Sequence, residues 1–443
     1  MSAATRQAST RPSLDDLRDR ALAAARPEVL GRVDEMLGLH LRVTGLRAAV
    51  GDLVEVLGPR PLLAEVAASS TQALTCLPLG DTRGLGIGAV VRHTGGPLRI
   101  RVGEQLTGRV LDGLGRPVDG GPDLRGLAQV TVDQDAPDAL SRPRIDHQLR
   151  LGVRALDALV PCGRGQRLGI MAGSGVGKSS LLSMIARGTD AEVSVIALVG
   201  ERGREVREFL ENDLGPEGLA RSVVVVATSD APPVERLRAA FVATRIAEWF
   251  RDAGRHVVLM MDSLTRVAMA QREIGLSAGE PPATRGYPPS VFGLLPRLLE
   301  RAGTSPSGSI TGLYTVLVEG DDLQDPVGDT ARSILDGHVV LSRRLATSGH
   351  FPSIDVLESI SRVTSAVTSG AHQEDATRLR RMLAAHRDVK ELVEIGAYVA
   401  GSDADADAAI ARMPRIDAFL RQGMSESTPL DETRTALHEL VAP

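Results

Sequence analysis

Several residue types are scarce in this chain of 443 residues, and each scarcity excludes a class of protein. Cys76 and Cys162 are the only cysteines, so neither a disulfide framework nor a clustered zinc site can be drawn. Six Phe, three Tyr and one Trp are too few to build rows of stacking platforms for nucleic-acid bases. No apolar run reaches ~18 residues, which excludes a membrane span in this sequence.

Charge is also limited, and lysine is rarest among the charged residues. The formal net charge is −5, which provides no global basic field for holding a nucleic acid. Of the 51 basic residues, only Lys178 and Lys390 are lysines. A lysine is therefore unusual in this chain, and its position carries information.

The first residues, MSAATRQASTRPSLDDLRDR, lack a charged stretch followed by an apolar core. We therefore expect no signal peptide, and few cysteines are typical of a reducing cytosol. We expect a cytoplasmic protein, and any membrane role would be peripheral.

The composition and the spacing of apolar residues change three times along the chain, which predicts four segments. Residues 1–26 are polar with leucines at helical spacing, and a solvated arm fits them as well as a docking helix does. Residues 27–95 alternate in short segments between glycines and prolines, which predicts short β-strands in a small barrel or sandwich. Residues 96–370 form the predicted core of the chain, and residues 371–443 show helical spacing.

The core region alternates apolar runs with helical stretches. The runs at residues 166–172, 193–199, 223–227, 257–261 and 311–318 are bounded by polar or glycine residues. This alternation predicts an α/β fold with a parallel sheet covered on both faces. Residues 108–124 are dense in Gly, Pro and Asp, which predicts loop and turn there.

The strongest local signal is AGSGVGKSS, between an apolar strand and a helical stretch. Strand, glycine loop and helix are the context in which such a loop binds phosphate through backbone N–H groups and a helix N-terminus. The candidate nucleotide-binding residues are Gly173, Ser174, Gly175, Val176, Gly177, Lys178, Ser179 and Ser180. Lys178 would contact the β and γ phosphates, and the Ser179 hydroxyl would bind Mg²⁺. The pattern departs from the usual one at its first position, where Ala172 replaces glycine.

Acidic residues after two apolar strands extend this candidate site. Asp262 ends RHVVLMMD, where a carboxylate would support Mg²⁺. Glu201 follows another strand and would orient the attacking water, with Arg202 beside the phosphates. On spacing alone, Glu201 and Arg202 fit a solvated charged loop equally well. Among 49 arginines, the pattern alone does not select Arg362 as a group that stabilises the transition state.

Five segments together resemble the catalytic subunits of rotary ATP synthases and their secretion relatives. They are AGSGVGKSS, GERGREVREF, MMDSLTRVAMAQREI, residues 279–303 and FPSIDVLESISRV. EPPATRGYPPSVF, ILDGHVVLSRRLA and IGAYVAGSDADADAAIARMPRIDAFLRQ most resemble the flagellar and type III secretion ATPases. The similarity runs from about Gly31 to Gln422 with the motifs in the same order.

This resemblance implies a fold and an assembly: an N-terminal β-barrel, a RecA-like P-loop core and an α-helical C-terminal domain in a homohexamer, with active sites between neighbours. It implies Mg²⁺-dependent ATP hydrolysis that energises protein export. The implied partners are regulatory and central-stalk proteins, export substrates, their chaperones and the membrane export gate, with no nucleic acid.

The resemblance also implies a role for each matched residue. Lys178 and Ser179 serve the phosphate loop, Glu201 is the catalytic carboxylate, Arg202 sits by the phosphates, Asp262 supports Mg²⁺, Arg362 reaches into the adjacent subunit's site, and Phe351 packs against adenine. The FLRQ and GSDADAD segments favour a flagellar over an injectisome ATPase. A noncatalytic ring subunit is disfavoured by Glu201, and a hexameric RNA helicase is disfavoured by the few aromatics.

Overall fold

The computed structural model describes Leu14, Arg18, residues 28–318 and residues 325–442. The predicted N-terminal arm therefore lies outside the described residues, apart from Leu14 and Arg18. The chain divides into two compact units, with the division between Gly96 and Pro97.

The first unit is a closed six-stranded barrel. Its strands are β1 Leu30–Leu37, β2 His40–Thr44, β3 Asp52–Val56, β4 Leu62–Ser69, β5 Ala73–Pro78 and β6 Val90–Pro97. They pair in the order β1, β2, β5, β4, β3, β6, and β6 returns to pair with β1. Alternate residues such as Val43, Val54 and Val66 fill the interior. The period-2 pattern predicts the short strands and leaves a barrel and a sandwich open. The structure forms the barrel that the family resemblance implies.

The second unit is built on a large sheet. Its main strands are β8 Val110–Asp112, β12 Arg167–Ala172, β13 Val193–Glu201, β14 Ser222–Thr228, β15 His256–Asp262, β17 Ser309–Leu317, β18 Gly337–Leu341 and β19 Ile354–Ser361, in the order β19, β18, β12, β17, β15, β13, β14, β8. From β18 to β8 neighbouring strands run parallel, whereas β19 is antiparallel to β18. The smaller pieces are β7 Arg99–Val102, β9 Ala128–Thr131, β10 Gln148–Leu149, β11 Cys162–Gly163 and β16 Gly303–Thr304.

Each apolar run of the core became a strand because both faces of a parallel sheet are buried. Every residue of β13 up to Gly200 is buried, for example. One detail of the sequence analysis was wrong: the predicted loop at residues 108–124 contains β8, which pairs with β14. Val110 and Leu111 are buried at this sheet edge, and that burial outweighs the turn-rich composition around them.

Helices alternate with the strands and then follow them. They are α1 Arg154–Leu159, α2 Lys178–Gly188, α3 Gly203–Glu208, α4 Gly215–Ala220, α5 Pro233–Asp252, α6 Leu264–Ser277, α7 Pro289–Leu299, α8 Pro326–Ile334, α9 Arg343–Thr347, α10 Thr364–Val367, α11 Gly370–Glu394, α12 Ala404–Leu420 and α13 Leu430–Val441. A π-helical turn, Phe209–Leu214, joins α3 to α4. Short 3-10 turns lie at Glu104–Leu106, Ala139–Ser141 and Thr284–Gly286.

The C-terminal helices share one apolar cluster with the core. Leu379 of α11, Phe419 of α12 and Leu437 of α13 belong to the same buried cluster as Leu156 of α1 and Leu182 of α2. The predicted fold class, a barrel followed by a parallel-sheet core and a helical region, is confirmed. The predicted domain boundary at residue 370 stays a prediction. No helix among the described residues is both long and apolar enough to cross a membrane.

Candidate functional site

The phosphate loop lies where β12 passes into α2. Gly175 and Gly177 have φ values of 76° and 90°, a left-handed backbone that glycine adopts without the penalty of a Cβ. Val176 between them is buried. The 11-residue helix α2 begins at Lys178, so its positive N-terminal end follows the loop directly. A glycine loop followed by a helix N-terminus is the geometry that suits an anion, and the anion site stays a prediction.

Lys178 lies between two carboxylates from neighbouring strands. Its Nζ is 2.6 Å from Oδ1 of Asp262 and 3.1 Å from Oε1 of Glu201. The side chain of Lys178 is only 12% exposed, and that of Asp262 only 3%. The structure therefore brings together three charged residues that are distant in sequence. Lys178 begins α2, Glu201 ends β13 and Asp262 ends β15.

Burial and charge act in opposite directions on these groups. Burial alone would lower the pKa of Lys178, but Asp262 and Glu201 more than offset it, so the pKa is raised. Burial raises the pKa of Glu201, Lys178 partly offsets this rise, and the charge of Asp262 adds to it. Lys178 is therefore a firmly held cation, and Glu201 is a better proton acceptor than an exposed carboxylate.

Asp262 is fixed from a second strand. The Thr315 hydroxyl, on β17, donates to Oδ1 of Asp262 over 2.8 Å. Two residues later along β17, the backbone N–H of Leu317 donates to the hydroxyl oxygen of Thr265, on α6, over 2.9 Å. These two bonds tie the acidic end of β15 and the start of α6 to β17.

A pocket of about 870 Å³ opens beside this cluster. It lies at the carboxyl ends of the parallel strands, where α/β sheets bind ligands. Its volume falls within the range of cofactor sites. Ser179, Arg202, Arg266, Leu317 and Arg343 line it together with the three charged residues.

Arg266 is a residue of this pocket that the sequence analysis missed. Its side chain crosses Gly200, where an added Cβ would approach it to 2.9 Å. Its Nε is buried and has no hydrogen-bond partner among the described residues. A buried, unpaired donor in a phosphate pocket is suited to an anionic ligand. The available signal was its position four residues after Asp262.

The remaining predicted residues occupy different places. Arg202 lines the pocket, but its side chain is 75% exposed and donates to Glu205 over 3.0 Å. The Phe351 ring faces the loop, because an added Cβ on Gly177 would lie 3.6 Å from it. Arg362 is exposed after β19, contacts the backbone oxygen of Arg332 and is not among the residues that line its own chain's pocket.

Comparisons with known proteins match this architecture. Residues 152–361 match the nucleotide-binding domain of the ATP synthase alpha/beta family, and residues 368–439 match the T3SS EscN ATPase C-terminal domain. The chain is 49% identical over 414 residues to the flagellum-specific ATP synthase of Bacillus subtilis, covering 93% of this chain and 94% of that protein. It is 50% identical over 426 residues to the type 3 secretion system ATPase of Xanthomonas euvesicatoria, covering 95% and 96%.

Solved structures agree with these sequence relatives. The assembled ATPase EscN from the type III secretion system of enteropathogenic E. coli superposes with a TM-score of 0.87 at 44% identity. That match covers 93% of this chain and all of the EscN chain. EscN in complex with its central stalk EscO matches with the same score.

Proposed function

This chain belongs to the family of the flagellum-specific ATP synthases and type 3 secretion system ATPases, and on that premise we propose that it hydrolyses ATP to energise protein export. The observation that carries the proposal is the position of Lys178 between Glu201 and Asp262 at the mouth of the phosphate loop. A scaffold that only bound nucleotide would not need the second carboxylate, that of Glu201, beside Lys178.

In this proposal, the Lys178 ammonium and the phosphate loop bind the phosphates of ATP. The backbone N–H groups after β12 and the N-terminus of α2 receive the β and γ phosphates, and Lys178 supplies a compact charge to them. Arg266 donates to the phosphate end of the pocket, because its guanidinium lines the pocket with one nitrogen unpaired. Phe351 packs against the adenine from the other side of Gly177.

The residues present fit a magnesium ion. Ser179 and Asp262 both line the pocket, and their side chains offer hard oxygen donors of the kind that Mg²⁺ prefers. Ser179 would bind the ion directly and Asp262 would hold it through water. The ion would neutralise charge on the β and γ phosphates.

Glu201 performs the proton chemistry. Its carboxylate accepts a hydrogen bond from a water molecule and aims the water oxygen at the γ phosphorus. As the new oxygen–phosphorus bond forms, the bond from the γ phosphorus to the β–γ bridging oxygen breaks. A water proton passes to Glu201, and ADP and inorganic phosphate leave. The raised pKa of Glu201 favours this transfer.

The active unit we propose is a homohexamer in which Arg362 of one protomer completes a neighbour's site. Arg362 is exposed and stands away from its own pocket, as this role requires. In a phosphoryl-transfer site, a guanidinium supplied in this way contributes roughly 10³ to 10⁵ in rate.

The setting we propose is the cytoplasmic base of a flagellar export apparatus, at the inner membrane. The FLRQ and GSDADAD segments support the flagellar assignment. A central stalk, regulatory proteins, export substrates and their chaperones would be the partners, as the relative EscN is seen with its stalk EscO. An injectisome is the second candidate, supported by the 50% identity to the Xanthomonas type 3 secretion system ATPase.

Phosphate release from ATP by the purified chain tests the activity. We expect Mg²⁺-dependent turnover in the wild type and none in Lys178→Ala. Deletion of the gene then separates the two settings. Loss of flagellar filaments supports the flagellar assignment, whereas intact filaments with lost effector secretion would replace it with an injectisome.

A further inference from the structure

A second cavity lies between the C-terminal helices and the segment of residues 342–353, here called the bridging segment. This helical-domain groove encloses about 390 Å³. The bridging segment and β19 form one side of it, and α11 and α12 form the other. No described residue lines both this groove and the nucleotide pocket.

The floor of the helical-domain groove is apolar. Side chains from four elements form it: Leu345, Ile354, Val356, Leu383, Met413 and Leu420. Aliphatic side chains with one methionine make a surface that accepts branched apolar groups without a fixed shape. The groove therefore favours an occupant with apolar side chains.

Its rim is positively charged. Among the lining residues, Arg344, Arg387, Lys390 and Arg421 stand against two carboxylates, Asp355 and Asp417. Arg387 is neutralised, because it lies 2.6 Å from Asp355. The side chains of Arg344 and Arg421 have no acidic partner among the described residues. The Arg421 guanidinium donates only to the His350 ring, over 3.5 Å.

The bridging segment connects this groove to the nucleotide pocket. It is closed at its base by Ser342 N–H, which donates to the Ser353 oxygen over 2.8 Å. The Ser353 hydroxyl donates to the backbone oxygen of Val176, inside the phosphate loop. The consecutive residues His350 and Phe351 face different cavities. His350 lines the helical-domain groove, and the Phe351 ring faces Gly177 of the phosphate loop.

We propose that the helical-domain groove binds an acidic peptide segment with apolar side chains, contributed by a partner protein, and that its occupation tightens nucleotide binding. The peptide's apolar side chains cover the floor, and its carboxylates pair with Arg344 and Arg421. When the peptide occupies the groove, it restricts movement of the bridging segment. Phe351, which lies in that segment, is then held against the adenine. Only the tightening of nucleotide binding rests on the proposed function; the binding of the peptide does not.

The distribution of charge selects a peptide over a small anion. The unpaired guanidiniums come from α9 and from the residue after α12, so the cations line a rim around an apolar floor. A phosphate site instead gathers donors around one point, often with backbone N–H groups. An extended chain with spaced carboxylates and apolar side chains matches the rim and the floor together.

Fluorescence anisotropy with the full chain and a labelled peptide, Glu-Glu-Leu-Leu-Glu-Leu-Glu, tests the binding. We expect a dissociation constant below about 1 mM, weakening as salt is added. The double variant Arg344→Glu/Arg421→Glu should weaken it about tenfold or more. A matched control, Arg381→Glu/Arg415→Glu, reverses two exposed charges on α11 and α12 outside the groove and should bind as the wild type does.

Equal affinity in the double variant and the wild type would overturn the proposal, as would no binding at about 1 mM. Displacement of the peptide by about 10 mM inorganic phosphate, beyond the effect of matched chloride, would replace it with a small-anion site. A change of oligomeric state in the double variant, measured by light scattering without peptide, would assign the groove to a second copy of this chain.

The effect on nucleotide is measured separately, by titrating a fluorescent ATP analogue with and without saturating peptide. We expect about fivefold tighter analogue binding in the wild type and no change in the double variant. Unchanged affinity would overturn the coupling. Anisotropy needs no turnover, so an inactive chain that still binds the peptide would contradict the proposed function and leave the groove assignment standing.

Discussion

Nζ of Lys178 lies 2.6 Å from Oδ1 of Asp262, although 84 residues separate them in the chain (262 − 178). One end of this pair begins α2 and the other ends β15, two strands away from β12 across β17. The pair fixes the phosphate loop to the acidic edge of the sheet. In the mechanism we propose, nucleotide binding and metal support meet at this single ammonium group.

Glu201→Gln should abolish turnover and keep nucleotide binding. The amide fills the same space but accepts no proton, so we expect phosphate release to fall about 10³-fold. Glu211→Gln is the control, because Glu211 is exposed and lies outside the pocket. Phosphate release and binding of a fluorescent nucleotide measure the two properties. Turnover by Glu201→Gln at half the wild-type rate would remove Glu201 from the chemistry.

The rarity of lysine makes chemical labelling unusually clean. An acyl-phosphate derivative of ATP transfers its acyl group to an amine beside bound phosphates, and Lys178 and Lys390 are the only lysines. Because the pKa of Lys178 is raised, its labelling should increase as the pH rises through the alkaline range. Mass spectrometry should find Lys178 labelled and protected by unmodified ATP. Equal labelling of Lys178 and Lys390 that unmodified ATP does not reduce would indicate nonspecific labelling and contradict the site.

Glu201 should titrate above its ordinary value of 4.5, since burial raises its pKa. A raised acid pKa means that the folded chain still holds this proton at a pH where an exposed glutamate has lost it. Infrared difference spectra of the wild type minus Glu201→Gln should show the carboxylate band disappearing as the pH falls through that higher value. A band that persists down to the ordinary value would show that burial does not govern this group.

Arg266→Gln should lower kcat/KM for ATP by about 10²-fold, because a charged donor to the phosphates is lost from the pocket. Arg297→Gln is the control, since Arg297 is exposed on α7 and lies outside the pocket. Circular dichroism confirms that both variants fold. Equal losses in the two variants would show that the effect is not local to the site.

Gln422→Ala should destabilise the second unit. The Gln422 amide accepts from the backbone N–H of Arg154 and donates to the backbone oxygens of Gly152 and Glu426, each over 2.8 Å. Leaving these buried groups unpaired costs about 2 to 4 kcal/mol of unfolding free energy. Gln373→Ala, which removes one donated bond to Thr368, should cost about 1 kcal/mol. Urea denaturation measures both, and a reversed order would contradict this account.

The sequence alone predicts the parts of the site that depend on local pattern. Gly177 and Lys178 could be placed because strand, glycine loop and helix must occur together for a phosphate loop to form. Asp262 could be placed because a carboxylate that ends an apolar strand lies at the ligand edge of a parallel sheet. The short strands of the first unit followed from period-2 alternation, which depends only on neighbouring residues. Their closure into a barrel followed only from the family resemblance.

The rest depends on contacts between distant segments. Nothing near Arg266 in sequence shows that it crosses Gly200, because that passage requires the ends of β13 and α6 to meet. The hydrogen bond from Thr315 to Asp262 could not be predicted either, because it requires β17 to pair with β15. Arg362 and Phe351 were selected by resemblance to a family, since no pattern distinguishes one arginine among 49.

A structure determined with Mg²⁺ and a nonhydrolysable ATP analogue tests the central claim most directly. We predict the γ phosphate against Nζ of Lys178, with the Glu201 carboxylate contacting a water molecule in line with the bond that would break. An analogue bound elsewhere, or a Glu201 side chain directed away from the γ phosphate, would contradict the account.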